Sequence, residues 1–155
     1  MAPVFIAITV SLFWLIVLWV LVEDLRHLHI PFFASPILLI AGMVFAYSNG
    51  GGEAVLYGLV GSILVAAALF ATGRAFRRFR GVDGLGAADP AFAAGLAIWI
   101  SPDLVPWAVV LACLVTLLLL PVLNRFRPHA DGRLPFAPGL GLGFGVILTL
   151  QLAYS

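Results

Sequence analysis

The sequence predicts an all-α membrane protein with six transmembrane helices and both termini outside. This prediction depends on the composition, the order of the apolar stretches and the distribution of arginine. Of the 155 residues, 63% are hydrophobic and only 10% are charged, and the mean hydropathy is +1.16. A soluble domain keeps roughly 25% charged residues because its surface faces water. The solvent of this chain is therefore lipid, and its length allows one domain, residues 1–155.

Six apolar stretches, each bounded by polar residues, predict the helices. The first, residues 3–22, is long enough to span a hydrocarbon core of ~30 Å at ~1.5 Å per residue. No basic segment precedes it and acids follow it, so we predict a retained helix rather than a signal peptide. Four further stretches of spanning length are residues 30–47, 53–76, 104–123 and 134–154.

The fourth stretch in the chain is shorter than the others. Residues 91–100 are only ten uninterrupted apolar or small residues, too few to cross a bilayer. A full span at this place would have to include Asp89 and the glycine-rich residues 81–88.

The arginines predict the orientation. With six spans, the loops after the first, third and fifth lie on one side, and they hold all eight basic residues. The opposite loops hold only the acids Glu53 and Asp103. The positive-inside rule places the arginine loops in the cytoplasm of a bacterial inner-membrane protein. The basic residues are Arg26, Arg74, Arg77, Arg78, Arg80, Arg125, Arg127 and Arg133.

Few residue types remain for a metal, a cofactor or a nucleic acid. Cys113 is the one cysteine, and His27, His29 and His129 lack a convincing ligand spacing. We therefore expect neither a metal nor a cofactor. The basic segment 74–80 has interleaved aromatics, but beside a membrane it favours anionic lipid headgroups over nucleic acid.

Two acids beside the predicted spans are candidate functional groups, because ionisable groups near hydrocarbon are costly. Asp24 ends the first helix, and Asp89 lies where the fourth enters the membrane, on the same predicted side. Two nearby carboxyls share a proton and titrate as a pair. One can then activate water while the other protonates the carbonyl or leaving amine, which is aspartic-protease chemistry.

The residues alone leave other interpretations open. Asp24 could be an acid at a helix end in the interface, and Asp89 could be an N-cap, since Pro90 follows it. Glu23 and Asp83 are alternative acids on the same predicted side of the membrane.

Three segments resemble motifs of the type IV prepilin peptidases. Residues 24–31, Asp-Leu-Arg-His-Leu-His-Ile-Pro, resemble the first aspartate motif, in which Ile-Pro-Asn opens the next helix. Residues 84–89, Gly-Leu-Gly-Ala-Ala-Asp, are similar to the second motif, which ends in Gly-x-Gly-Asp. Residues 134–138, Leu-Pro-Phe-Ala-Pro, resemble the opening of the final helix. Together these matches extend over nearly the whole chain.

The resemblance implies a membrane aspartic endopeptidase that cleaves leader peptides of prepilins or pseudopilins after a glycine, at the cytoplasmic face. Asp24 and Asp89 would be its catalytic pair. The size is similar to that of the single-function branch serving tight-adherence (Flp-type) pili. We therefore expect no N-methyltransferase activity, since nothing corresponds to the cysteine-containing cytoplasmic region of the larger members.

The chain departs from the family pattern at three places. Phe32 stands where asparagine is usual, Ala88 replaces a glycine, and Pro90-Ala91 replaces Val-Lys. Alanine disfavours positive φ, so we predict an ordinary backbone conformation at Ala88.

Two rival functions come from other classes. One is a small transporter or carrier subunit whose acids relay protons or bind a cation, although no internal repeat is visible and both acids lie towards one face. The other is a catalytically inactive assembly factor of a pilus or secretion system.

The arginine distribution gives the first testable prediction. In a Cys113→Ala background, Arg78→Cys and Arg127→Cys should be shielded from an impermeant thiol reagent in intact cells, and Asn49→Cys should be labelled. The reverse pattern would overturn the orientation.

Overall fold

The described part of the chain is entirely helical. The computed structural model describes residues 3–27, 29–81, 84–126 and 136–154. A 3₁₀ turn, Pro102–Leu104, precedes the fourth helix, and these ranges contain no strand. The α-helices are α1 (Pro3–His27), α2 (Ala34–Arg80), α3 (Asp89–Ala97), α4 (Val105–Phe126) and α5 (Ala137–Tyr154).

The prediction of an all-α membrane protein is confirmed. Within the described ranges, four helical segments are long and apolar enough to cross a membrane, and they correspond to α1, α2, α4 with its preceding turn, and α5. The chain is therefore a multi-pass membrane protein. The number of predicted spans is six because the prediction divides α2 into two spans and extends the short α3 to the length of a full span.

A break divides α2 into two arms, residues 34–49 and 52–80. A straight helix of its 47 residues would be about 70 Å long, more than twice a hydrocarbon core of about 30 Å. Gly50 and Gly51 leave the helical conformation, and Gly51 has φ +66°, which glycine adopts without steric cost. The break lies inside the predicted turn, so the arms correspond to the second and third predicted helices.

The two arms fold back on each other. Gly42 of the first arm and Gly58 of the second lie against the same side chain, that of Ile98. In a straight helix these glycines would be about 24 Å apart, too far to share one neighbour. The arms therefore form a helical hairpin around the residues that follow α3.

α3 is shorter than the predicted fourth span. Its nine residues, Asp89–Ala97, extend about 13.5 Å, roughly half of a hydrocarbon core. The described residues 84–88 form a loop, so the extension of the helix through the glycines is wrong. Glycine costs about 1 kcal/mol in a helix interior, whereas Pro90 suits the first turn, so the helix begins at Asp89.

Trp99, two residues after the end of α3, packs in the interior and anchors this short helix there. Its side chain is 1% exposed, and its ring N–H donates to the Leu38 carbonyl oxygen at 3.0 Å. Phe45 stacks on the ring, and Phe13 of α1 meets it edge-on. Trp99 is therefore a packing residue of the core.

Four glycines let α5 pack closely between α1 and α4. Gly139 and Gly143 lie against α4, whereas Gly141 and Gly145 lie against α1. The two interleaved GxxxG spacings thus serve opposite faces of one helix. Small residues matter here because helices in lipid associate by close van der Waals packing rather than by the hydrophobic effect.

Backbone contacts at Gly143 predict a large effect of one methyl group. A Cβ there would lie 2.8 Å from the Ala108 carbonyl oxygen and 2.7 Å from the Ala112 nitrogen. Because backbone atoms cannot rotate away, Gly143→Ala should destabilise the protein by about 1–3 kcal/mol. Gly52→Ala is the control, since nothing lies within 4 Å of its Cβ position. Thermal unfolding in detergent should show a lower Tm for the first variant only; equal Tm values would contradict the packing.

Candidate active site

A cavity of about 1160 Å³ lies at one end of the helices and contains both predicted acids. Its walls come from the end of α1, the last turns of α2, the loop before α3, the first residues of α3, and Phe136. Asp24 and Asp89 both line it, and each is 5% exposed. Two acids that are 65 positions apart in the sequence thus meet in one buried place.

The packing of α1 on α5 positions Asp24. Gly141 lies against Val17, and Gly145 lies against Trp14, so the two helices run antiparallel. The last turn of α1 therefore reaches the first turn of α5. The backbone N–H of Ala137 is a donor to the Asp24 carboxylate there, while Oδ2 of Asp24 has no hydrogen-bond partner among the described residues.

Asp89 is positioned by the loop that precedes it. Its Oδ2 accepts a hydrogen bond from the Gly86 N–H at 2.8 Å. A Cβ on Gly86 would lie 3.0 Å from that oxygen, so glycine permits the close approach. Ala88, not Asp89, is the N-cap, and no side chain caps this helix. The N-cap interpretation of Asp89 is therefore wrong, because its carboxylate bonds back to the loop from inside the first helical turn.

The backbone at Ala88 agrees with the prediction made from its side chain. Its φ of −88° and ψ of −17° lie in the right-handed helical region. The glycine loop also packs on the second arm of α2, where Gly84 contacts Phe76 and Leu85 contacts Gly73. Alanine in place of glycine at position 88 therefore does not distort the loop that holds Asp89.

Burial dominates the electrostatics of Asp89, which lies outside the four helices of spanning length. Burial raises the pKa of Asp89 from 3.8 to about 7 because the charged form loses its hydration. The Gly86 N–H opposes this shift, and the negative charge of Asp24 adds to it. Asp89 therefore gains and loses its proton near neutral pH, and the charge of Asp24 influences this exchange.

The alternative acids do not share this site. Glu23 is half-exposed and lies 3.8 Å from His27, one helical turn along α1, and it does not line the cavity. Asp83 lies outside the described residues. Of the acids in the described ranges, Asp24 and Asp89 are the two that line the cavity.

Two features of the cavity were missed from the sequence. His29 lines the cavity and interacts electrostatically with Asp24. Arg74, Arg77 and Arg78 form part of the cavity wall. The spacing of the arginines, three and four residues along a helix, was the available signal that they share one face.

The histidines give no reason to assign a metal to the cavity. His129 lies outside the described residues, and His27 is paired with Glu23. Among the residues that the structure describes, no three His, Cys, Asp or Glu side chains come together as a ligand set.

A comparison with known protein families identifies the family of the chain. The sequence profile of the type IV leader peptidase family matches residues 9–121. The chain belongs to this family. The type IV leader peptidases are aspartic peptidases, and the matched segment includes both Asp24 and Asp89. No curated protein and no solved structure matches the chain significantly.

The raised pKa of Asp89 predicts how stability depends on pH. Between its ordinary pKa of 3.8 and its folded value of about 7, the folded protein binds a proton that the unfolded chain has released. Stability should therefore fall as the pH rises through this range. The Asp89→Asn variant has no carboxyl to ionise at this position and therefore lacks this loss of stability. The Tm of the variant should change less between pH 4 and pH 7 than the Tm of the wild type.

The exposed acid Asp103 supplies the control for this measurement. Asp103→Asn should keep the wild-type dependence of Tm on pH. If Asp89→Asn left the pH profile of Tm unchanged, the carboxyl would not be buried as described.

Proposed function

We propose that the chain is a prepilin leader peptidase. It cleaves type IV prepilin-like leader peptides of prepilins or pseudopilins after a glycine at the cytoplasmic face, with Asp24 and Asp89 as catalytic pair. The observation that supports this most is the meeting of two acids, each 5% exposed, in one cavity. The proposal includes hydrolysis only, without methylation of the new amino terminus.

The two carboxyls can divide the work of peptide hydrolysis. An ionised carboxylate takes a proton from water as the water oxygen bonds to the carbonyl carbon of the peptide. The protonated partner gives its proton to the carbonyl oxygen. As the C–N bond breaks, the first carboxyl gives the proton that it took from water to the departing amine, and a hydroxyl proton of the intermediate returns to the partner. A raised pKa suits this exchange because both protonation states are then accessible near neutral pH.

The orphan oxygen of Asp24 supports this use of the site. A buried acceptor without a partner is costly, so such groups are rare in folded proteins. Oδ2 of Asp24 is buried without a hydrogen-bond partner in the described part of the chain. In the proposed reaction, that oxygen is the acceptor for the attacking water.

The size of the cavity fits a peptide substrate. Sites for small molecules have volumes of about 300–1,000 Å³, and this cavity has about 1160 Å³. Apolar walls at Leu69, Phe70 and Phe136 alternate with charged ones. Such walls can hold a short extended segment of polypeptide beside the two acids.

The departures from the family pattern are compatible with an active enzyme. Phe32 is 81% exposed, packs against Phe33, and is not part of the cavity wall. Ala88 has a helical backbone, and Pro90 lies in the first turn of α3. The Gly86 N–H still donates to Asp89, which favours a peptidase over an inactive assembly factor.

The placement in the membrane is part of the proposal. We propose a bacterial inner-membrane protein whose termini face outward and whose cavity opens to the cytoplasm, since the arginines of α2 line it. Six crossings would use the two arms of α2 and the short α3. A transporter would hold its acids near the midplane, whereas Asp24 and Asp89 lie beside loops at helix ends.

Substitutions at the two acids test the proposed chemistry. Asp24→Asn and Asp89→Asn are nearly isosteric, so the variants should insert and fold but lose cleavage of a cognate prepilin. Asp→Glu at either position should also inactivate, since it moves the carboxyl by one methylene and catalytic geometry must hold within ~0.5 Å. The double Asn variant should be no slower than either single variant, because the two acids act as a unit.

Neighbouring acids supply matched controls. Glu23→Gln and Asp83→Asn should retain near-normal cleavage in the same assay with purified protein and prepilin. The assignment fails if Asp24→Asn cleaves at a near-normal rate or if Asp83→Asn is inactive.

A further inference from the structure

The second arm of α2 is longer than a membrane crossing requires. Residues 52–80 extend about 43 Å, against a hydrocarbon core of about 30 Å. If the apolar part of the arm fills the core, roughly the last nine residues project to the level of the lipid headgroups. That projecting part contains Arg74, Arg77 and Arg78, which line the cavity.

Two of these arginines, Arg74 and Arg78, form no ion pair with a described residue. Arg74 and Arg78 are exposed and lie one helical turn apart on one face of α2. No carboxylate in the described part of the chain is within 4.0 Å of either, since the single ion pair there joins Glu23 and His27. The two acids that line the same cavity are buried, whereas Arg74 and Arg78 are exposed.

Apolar side chains adjoin the two arginines. Phe70 is 60% exposed and Phe79 is 84% exposed, and both line the same cavity. Phe70 lies one turn before Arg74, on the membrane side, and Phe79 directly follows Arg78. Guanidinium groups next to exposed rings at headgroup level offer a phosphate contact together with an apolar path for an acyl chain.

We propose that Arg74 and Arg78 bind the phosphate of an anionic phospholipid at the mouth of the cavity. Guanidinium groups present fixed N–H donors that match phosphate oxygens. Juxtamembrane arginines near an anionic surface contribute about 1 kcal/mol each. A lipid is the fitting occupant because the site combines charge with exposed apolar rings at the level where headgroup and acyl chain meet. Binding does not depend on peptidase activity.

Native mass spectrometry of the purified full chain tests this site. The probes are phosphatidylglycerol and phosphatidylethanolamine with the same acyl chains, added to the protein in detergent. Wild type should retain the anionic lipid preferentially. Arg74→Gln/Arg78→Gln should weaken its retention about 30-fold, which corresponds to about 2 kcal/mol at about 1.4 kcal/mol per tenfold change.

Two further variants separate the site from general surface charge and from misfolding. Arg26→Gln/Arg80→Gln removes the same charge outside the cavity wall and should retain phosphatidylglycerol like wild type. Arg74→Lys/Arg78→Lys keeps the charge and should preserve most of the binding, which a folding defect at these positions would not allow.

Three results would overturn the proposed lipid site. Equal retention of the two lipids by wild type would overturn the site, as would equal losses in the cavity pair and the control pair. Displacement of the lipid by millimolar inorganic phosphate would also overturn the proposal, because the ligand would then be the free ion. Prepilin cleavage is not a readout here, so failure of the lipid site leaves the peptidase proposal untouched.

Discussion

The close packing of α5 between α1 and α4 is the constraint on which the site depends. Lipid supplies no hydrophobic force between helices, so the contact is made by backbone approach at four glycines. Because α1 and α5 run antiparallel through Gly141 and Gly145, the end of α1 lies beside the start of α5. Asp24 is held there against the backbone of Ala137. A looser interface would let water reach this carboxyl and would remove its unusual environment.

A second constraint brings Asp89 to the same place. The hairpin of α2 encloses the residues after α3, and Trp99 joins that core to α1 and to the first arm of α2. α3 therefore lies within the bundle, and its N-terminal end faces the cavity. The loop before α3, residues 84–88, lies at this end of the helix and lines the cavity. From this loop, the Gly86 N–H donates a hydrogen bond to the Asp89 carboxylate.

These two constraints place two acids where ionisation of both is unfavourable. Each carboxyl is almost fully buried, and in the described part of the chain no salt bridge joins either of them to a basic side chain within 4.0 Å. Such an arrangement lowers the stability of the fold at neutral pH, since a buried charge loses its hydration. Sites that store this kind of cost are characteristic of catalytic centres. Arg74, Arg77 and Arg78 lie in the wall of the same cavity.

Much of this structure followed from the sequence because its causes are local. The apolar stretches predict α1, α4 and α5, and residues 48–52 predict the turn of the α2 hairpin. Asp24 and Asp89 could be paired because topology and motif resemblance agree on their side of the membrane.

The remaining features depend on tertiary packing. The short α3 is stable because Trp99 and its neighbours enclose it. No local sequence pattern predicts this packing. His29 reaches the cavity because of the path of the segment after α1. Arg74, Arg77 and Arg78 reach it because of the face that α2 turns towards the cavity. Composition predicts what such residues prefer, but not which of them share a cavity.

A pH titration of Asp89 tests most directly whether the two acids interact. Carbonyl-stretch infrared spectra of purified protein can follow protonated Asp89, identified by its loss in Asp89→Asn. Asp24→Asn should lower the pH at which Asp89 ionises, because it removes the neighbouring negative charge that raises the pKa. Glu23→Gln should leave that midpoint unchanged. A midpoint that does not respond to Asp24→Asn would contradict the pair.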